Sequence, residues 1–256
     1  MTKLKTLFSD LFYELKLLQR SVPSAILALF VTSVVSMNLL ANKSIDLNLD
    51  WLALDCGLIF SWVAFLTMDV VTKRFGVRAA NMLSIIALLI NLLASVLFIA
   101  AAYIPGTWSQ SYVDGSEAII NFALDGTFKS AWYVIMGSSI AFIVSAFLNN
   151  FLNFAIGKLF KKKNFLAFSV SSYASTFIGQ FVDNLLFALI VSLNFFGWSI
   201  LQCVTCALTG AVAELLAEVV FSPVGYRVVK KMETDGVGQA YVDYMQEKKE
   251  KKICRS

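Results

Sequence analysis

Six apolar runs long enough to cross a membrane take up most of this 256-residue chain. A helix needs about 20 residues to span about 30 Å of hydrocarbon. The runs cover residues 22–40, 51–71, 79–104, 130–159, 165–196 and 199–221. Because backbone polar groups in lipid must be satisfied within the segment itself, each run is predicted to be helical. The sequence therefore predicts an all-α integral membrane protein with six transmembrane helices.

The composition agrees with this fold class and limits what else the chain can contain. Hydrophobic residues make up 58% of the chain and charged residues 15%, whereas soluble domains are nearer half apolar and a quarter charged. The apolar runs consume almost the whole length, so a separate soluble catalytic domain has no room. We therefore expect one membrane domain in a multi-pass protein of the cell inner membrane.

Basic residues predict the orientation of the chain. Lysines and arginines gather before the first run, between the second and third, between the fourth and fifth, and after the sixth. Only Lys43 and Lys129 fall on the opposite side. Since positive residues accumulate on the inner side of a membrane, both termini are predicted to be cytoplasmic.

Three parts of the chain follow from these patterns. Residues 1–20 repeat leucine and phenylalanine at helical spacing between lysines, which predicts a short amphipathic helix on the inner surface. Residues 21–232 form the six-helix transport domain, in which residues 105–128 are the longest outer connection. Residues 233–256 are polar and rich in lysine, which is typical of a frayed cytoplasmic tail.

Four carboxylates, Asp55, Asp183, Glu214 and Glu218, lie inside the apolar runs without a basic residue beside them. A charge in hydrocarbon is costly, so each predicts a functional partner: a proton, a cation or a polar ligand. The chain has no histidine, which removes the commonest proton shuttle and metal ligand. We expect a transporter rather than an enzyme, with no metal and no cofactor, in which carboxylates carry any proton coupling.

The fifth run carries the clearest polar pattern. Its polar residues recur at spacings of three and four and so share one helical face. These residues are Ser172, Thr176, Gln180, Asp183 and Asn184. A polar stripe at this depth faces protein or water rather than lipid. Interhelical hydrogen bonding is the alternative role, above all for the serines.

The sixth run places Glu214 and Glu218 one helical turn apart. Two like charges at that spacing repel, so at least one is expected to bind a proton or a cation. Glu214 is our candidate for proton coupling. Glu218 has an alternative as the ion-pair partner of Arg227 or Lys73.

The predicted orientation gathers several polar residues in the outer half of the membrane. They are Asn38, Asn42, Asp55, Asp183, Asn184 and Gln202. Aromatic residues fall at similar depths, namely Phe60, Trp62, Tyr173, Phe177 and Trp198. Carboxylates and amides can read the polar edge of a planar heterocycle while rings stack on its face. We therefore predict an outward-opening cavity for a purine-like base.

The inner ends of the runs suggest a gate. Asp69 is expected to pair with Arg74 or Arg78 at the cytoplasmic edge as a structural or gating clamp. Asn149 and its neighbours Asn150 and Asn153 are candidates for the same gate.

Three segments, residues 37–43, 69–76 and 175–183, carry a resemblance to a known family. Their patterns are Asn38-x3-Asn42-Lys43, Asp69 followed by Lys73-Arg74-Phe75-Gly76, and Ser175-Thr176-x3-Gln180-x2-Asp183, with Pro223 and Tyr226 after the last run. Together they resemble the VUT family of vitamin uptake transporters. Studied members of that family import queuosine precursors, which are 7-deazaguanines.

The resemblance implies six helices and import of a 7-deazaguanine such as preQ0, preQ1 or queuine. It carries the ligand role onto Asn38, Asn42, Gln180 and Asp183. The residue patterns above add Asp55, Trp62, Ser172, Thr176 and Asn184 as substrate-binding candidates, and Glu214, Asp69, Arg74 and Asn149 as coupling or gate residues. The partners expected are a nucleobase-like small molecule and the lipid bilayer, and no nucleic acid.

A second class of function stays open on the sequence. The chain also fits a substrate-binding subunit of an ATP-energised vitamin uptake complex, whose ATPase is a separate chain because no P-loop is present here. Small residues at four-residue spacing, Ala28, Thr32 and Ser36, offer a docking face for a partner helix. A homodimer is also open. An intramembrane enzyme is disfavoured. It would need a nucleophile with a base or a metal cluster, and the sequence has no histidine to act as base or ligand.

Overall fold

The computed structural model describes residues 2–45, 47–52, 54–108 and 117–253. In this part of the chain the helices are α1 (Thr2–Ser21), α2 (Ser24–Leu40), α3 (Leu58–Phe75), α4 (Val77–Tyr103), α5 (Glu117–Gly157), α6 (Phe165–Phe187), α7 (Ile200–Thr234) and α8 (Gln239–Ile253). Strands β1 (Ser44–Ile45) and β2 (Leu54–Asp55) form one short antiparallel pair. The all-α class predicted from the sequence is confirmed.

Four helical segments are long and apolar enough to span a membrane: Val77–Tyr103, Trp132–Gly157, Phe165–Phe195 and Ile200–Thr234. A fifth results if Phe8–Ser21 and Ser24–Leu40, which meet at 105°, count as one bent span. Helix α2 alone has 17 residues, and α3 carries three charged residues in its 18. The protein is thus a multi-pass membrane protein with four or five such spans, and the count of six and the sides of the termini stay predictions.

The second predicted helix begins later than expected. Residues 51, 52 and 54–57 do not join α3, and Leu54 and Asp55 form strand β2, where Asp55 pairs with Ser44. The N–H of Cys56 donates to the carbonyl of Lys43 at 2.9 Å, which ties the hairpin to the end of α2. The sequence did not distinguish this segment from the start of a helix, because Leu52 and Leu54 continue the apolar run.

The longest predicted loop, residues 105–128, is partly helical. Helix α5 starts at Glu117 and continues for 41 residues, and residues 109–116 lie outside the described part. The backbone N–H of Trp108 donates to Asn121 Oδ1 at 2.8 Å, and its indole Nε1–H donates to Asp125 Oδ1 at 2.9 Å. These two bonds anchor the loop on the first turns of α5.

The last two membrane helices also differ from the prediction in detail. Helix α6 passes into a π-helical turn, Ala188–Ser192, before its last residues Leu193–Phe195. Helix α7 runs through Pro223 to Thr234, thirteen residues beyond the predicted end. A capping box fixes its start. The Ser199 hydroxyl accepts from the backbone N–H of Gln202, and the Gln202 side chain accepts from the backbone N–H of Ser199.

Helix α3 is the centre of the bundle. It packs against α2, α4, α5, α6 and α7, and its buried side chains include Thr67, Asp69 and Thr72. Because protein rather than lipid surrounds α3, it can carry polar groups that would be excluded from a lipid-facing span. It ends at Gly76, whose φ of 88° favours glycine.

The two ends of the chain meet in a terminal clasp made by Glu14, Arg78 and Lys248. The Glu14 carboxylate is fully buried and accepts hydrogen bonds from Arg78 Nε and Nη2 and from Lys248 Nζ, the last at 2.6 Å. Partial burial lowers the pKa of Lys248, but the hydrogen bond and charge of Glu14 outweigh it, so the pKa is raised. The predicted frayed tail is thus a packed helix, with Tyr241 of α8 fully buried in the core.

Removal of the Glu14 carboxylate tests the terminal clasp. Glu14→Gln should lower the free energy of unfolding by about 2 kcal/mol, because hydrogen bonds to charged groups contribute about 1.5–3 kcal/mol each and both cations keep some access to water. The Tm in detergent should fall by several degrees. The matched control is Glu247→Gln, which breaks the exposed pair with Lys251 and should leave the Tm nearly unchanged. Equal Tm values for the two variants would contradict the role of the clasp.

Candidate functional site

Three of the predicted carboxylates, Asp55, Asp183 and Glu214, line one small cavity with Asn38 and Asn184. They come from the β2 turn, α6, α7 and the end of α2, so four separate parts of the chain meet there. The cavity has a volume of about 30 Å³, which is room for about two water molecules. We call it the carboxylate cavity.

Each carboxylate of this cavity accepts hydrogen bonds from neutral donors. Asp183 Oδ1 accepts from the hydroxyl of Ser145 at 2.8 Å. Glu214 accepts from the hydroxyl of Ser61 and from Asn184 Nδ2, the latter at 3.4 Å. Within the described chain none of these three carboxylates has a Lys or Arg partner. These hydrogen bonds therefore come from neutral donors and not from ion pairs.

The remaining two members are positioned by their own helices and by close packing. Asn38 Nδ2 donates to the carbonyl of Val34 at 2.8 Å, and its Oδ1 accepts from Ser138. Asn184 lies against Gly210 of α7, where an added Cβ would sit 2.6 Å from Asn184 Nδ2. Gly210 thus lets α6 and α7 approach closely enough for Asn184 to reach Glu214.

A second polar cluster lies nearer the predicted inner end of the bundle. Asp69 of α3 accepts from Asn149 Nδ2 at 2.9 Å and contacts the hydroxyl of Ser172. The same hydroxyl contacts Glu218 Oε1. We call Asp69, Ser172 and Glu218 the serine-bridged pair.

Proton counting constrains this pair. A serine hydroxyl has one hydrogen to donate, so it can donate to Asp69 or to Glu218 but not to both. The other contact joins two oxygens and needs a hydrogen from the carboxyl itself. Since Asp69 and Glu218 are almost entirely buried, a proton on one of the two carboxyl groups would satisfy both contacts.

This arrangement corrects two predicted ion pairs. Asp69 does not pair with Arg74 or Arg78, because Arg78 turns to Glu14 and Arg74 donates to the carbonyl of Val237 at 2.8 and 3.0 Å. Glu218 pairs with neither Lys73 nor Arg227 within the described chain. Arg74 therefore holds the C-terminal segment and Arg78 holds the N-terminal helix, two contacts that the sequence pattern did not predict.

Several predicted site residues lie away from the carboxylate cavity. Asn42 donates to the carbonyl of Leu39 at 3.0 Å and closes the end of α2. Gln202 is used in the cap of α7. Trp62 stacks on Phe221, with ring centroids 4.6 Å apart. Of the aromatic rings expected around a ligand, none lines this cavity, and Phe187 does so instead.

Thr176 and Gln180 lie on α6 between the two clusters. Both side chains are fully buried, and neither Thr176 Oγ1 nor the amide nitrogen and oxygen of Gln180 has a hydrogen-bond partner in the described protein. Buried polar groups without partners are costly. The face of α6 from Ser172 to Asp183 therefore forms a polar line that is only partly satisfied by the protein.

Some residues of the site were missed at the sequence level. Ser138 and Ser145 of α5 hold Asn38 and Asp183, and Ser61 of α3 holds Glu214. Ser138, Ser145 and Asn149 are separated by seven and four residues, which places them on one face of α5. That spacing is the signal that identifies this face.

Comparison with known proteins agrees with this architecture. The family model described as "Putative vitamin uptake transporter" matches residues 55–228. No match was found among curated proteins or among solved structures. The matched residues include α3, α4, α5, α6 and most of α7, which carry both polar clusters apart from Asn38. The chain belongs to the vitamin uptake transporter family, VUT.

Proposed function

We propose that the protein imports a 7-deazaguanine queuosine precursor across the cell inner membrane as a secondary transporter. Membership of a transporter family supports the general activity. The observation that carries the choice of ligand is the meeting of Asp55, Asp183 and Glu214 in one cavity that no described Lys or Arg lines. A ligand that presents several N–H donors and no net negative charge suits that environment best.

Recognition follows from the donors and acceptors around the cavity. A guanine-like ring presents N–H and NH₂ donors along one edge, and carboxylates are pure acceptors when ionised. Asp183 accepts from this edge in our proposal, while Asn38 fixes its orientation and Asn184 supports Glu214. Gln180, whose amide has no protein partner, supplies one further donor and acceptor once the helices separate.

The small size of the carboxylate cavity indicates a closed arrangement. A volume of about 30 Å³ is far below the roughly 300 Å³ of a small-molecule pocket. Transporters with a central site alternate between arrangements that open to either side. Binding in our proposal therefore requires α2 and the β1–β2 hairpin to move away from α6 and α7.

Proton coupling is assigned to the serine-bridged pair rather than to Glu214. Both contacts of Glu214 come from neutral donors, so hydrogen-bond counting does not require a proton there. The pair Asp69 and Glu218 shares one hydroxyl and needs a proton to be stable. Release of that proton would leave two buried like charges side by side, which favours a different packing of α3 against α6 and α7.

The ligand role of Asp183 is tested by Asp183→Asn in purified protein reconstituted in liposomes. Uptake of a labelled 7-deazaguanine should fall roughly 10–100-fold in rate at low substrate, because a charged acceptor worth about 1.5–3 kcal/mol is replaced by an amide. The control is Asp50→Asn, which changes an exposed aspartate and should transport normally. Normal accumulation by Asp183→Asn would refute this role. Uptake that requires an added ATPase would instead favour the substrate-binding-subunit class.

The coupling role is tested by Glu218→Gln. This variant should lose the stimulation of uptake by an inward proton gradient but keep exchange of labelled for unlabelled substrate, because exchange needs no net proton movement. Glu214→Gln is the matched comparison: it should weaken exchange and keep the same ratio of uptake with and without the gradient. Gradient stimulation that survives in Glu218→Gln would refute coupling at this pair.

A further inference from the structure

A further cavity is separate from both polar clusters and is lined by basic rather than acidic groups. It has a volume of about 300 Å³ and lies where the predicted inner ends of α3, α5, α6 and α7 meet. Six lysines line it: Lys73, Lys158, Lys161, Lys162, Lys163 and Lys230. Glu233 is its single lining carboxylate.

Most of this positive charge forms no ion pair within the described residues. Lys230 pairs with Glu233 at 2.9 Å, and in the described part of the chain none of the other five lysines forms an ion pair. Surface lysines are often unpaired, but here they converge on one concavity rather than on a flat face. Converging cations repel one another, so the cavity favours an anionic ligand.

Lys73 shows that the site is built into the bundle. Its ammonium donates to Ser171 Oγ and to the carbonyl of Asn153, the latter at 3.4 Å. An added Cβ on Gly157 would lie 2.9 Å from Lys73 Nζ, so this ammonium is held against the glycine of the facing helix. A cation fixed in the wall by two helices differs from a mobile lysine on a loop.

The start of α6 adds to the positive potential. Asn164 caps this 23-residue helix by accepting from the N–H of Ala167 at 3.0 Å, and both residues line the cavity. The free N–H groups and the dipole at a helix N-terminus attract anions. Rings of Phe154, Phe160, Phe168 and Tyr226 form much of the remaining wall.

We propose that this lysine cavity binds a phosphate group carried by a small or lipidic molecule. Lysine ammonium groups bind phosphate as point charges, and the ring-lined wall accommodates the adjoining glycerol or sugar. The same chemistry is presented by the headgroup of an anionic phospholipid and by a soluble phosphate ester. Basic pockets between membrane helices on the cytoplasmic side suit the former. The site goes beyond the proposed transport function and does not depend on it.

The experiment uses full-length protein in neutral detergent and measures the Tm at fixed ionic strength. One arm adds short-chain phosphatidylglycerol, with short-chain phosphatidylcholine as its comparison. The other arm adds glycerol phosphate or inorganic phosphate, with chloride as its comparison. A concentration-dependent rise of the Tm in the first arm alone identifies a lipid headgroup, and a rise in the second arm identifies a soluble phosphate ligand. No rise in either arm overturns the proposal.

Matched variants locate the effect. Lys73→Gln with Lys161→Gln and Lys163→Gln should weaken the apparent affinity for the stabilising compound at least tenfold. The control removes three lysines outside the cavity, Lys231→Gln, Lys249→Gln and Lys251→Gln, and should bind normally. Equal loss in both triple variants would mean a diffuse charge effect and would overturn the proposal. If the first triple variant does not fold, Lys161→Gln with Lys163→Gln, which changes loop residues only, serves in its place.

Discussion

Hydrogen bonds from neutral donors to buried carboxylates hold the interior of this bundle together. Ser145 on α5 donates to Asp183, and Ser61 on α3 donates to Glu214. Asn149 donates to Asp69, which also contacts the hydroxyl of Ser172. Each bond joins two different helices, so the same contacts that make a negative group tolerable also fix the helix packing. Since none of these carboxylates forms an ion pair within the described residues, each keeps some capacity for a proton or a ligand.

Acidic and basic groups are concentrated in two different regions of the molecule. Acidic groups occupy the inside of the bundle, where they line the carboxylate cavity. Basic groups surround a cavity at one end of the helices. Helix α3 connects the two, since Asp69 belongs to the serine-bridged pair and Lys73, one turn further along the same helical face, lines the lysine cavity.

The sequence predicted the helical class, the family and the convergence of Asn38, Asp55, Asp183 and Asn184, because hydrophobic length and polar spacing are local properties. It did not reveal the hairpin before α3, since Leu52 and Leu54 are as apolar in a strand as in a helix. The sequence also did not predict that Arg74 and Arg78 bond the terminal segments instead of Asp69. Those bonds depend on the packing of α8 against α1, where Lys248 contacts Glu14, more than two hundred positions away in the sequence.

The π-helical turn Ala188–Ser192 lies directly after Phe187, which lines the carboxylate cavity. Such a turn contains one residue more than an α-helical turn. Restoring α-helical geometry there would shift everything beyond it by one position, a rotation of about 100° around the axis. Gly137 of α5 packs closely against this turn. A Cβ added at Gly137 would lie 2.4 Å from Val191 Cγ2, which is shorter than a normal contact. A methyl group at position 137 would therefore force Val191 or the helix that carries it to shift, so Gly137 permits the close approach of these two segments.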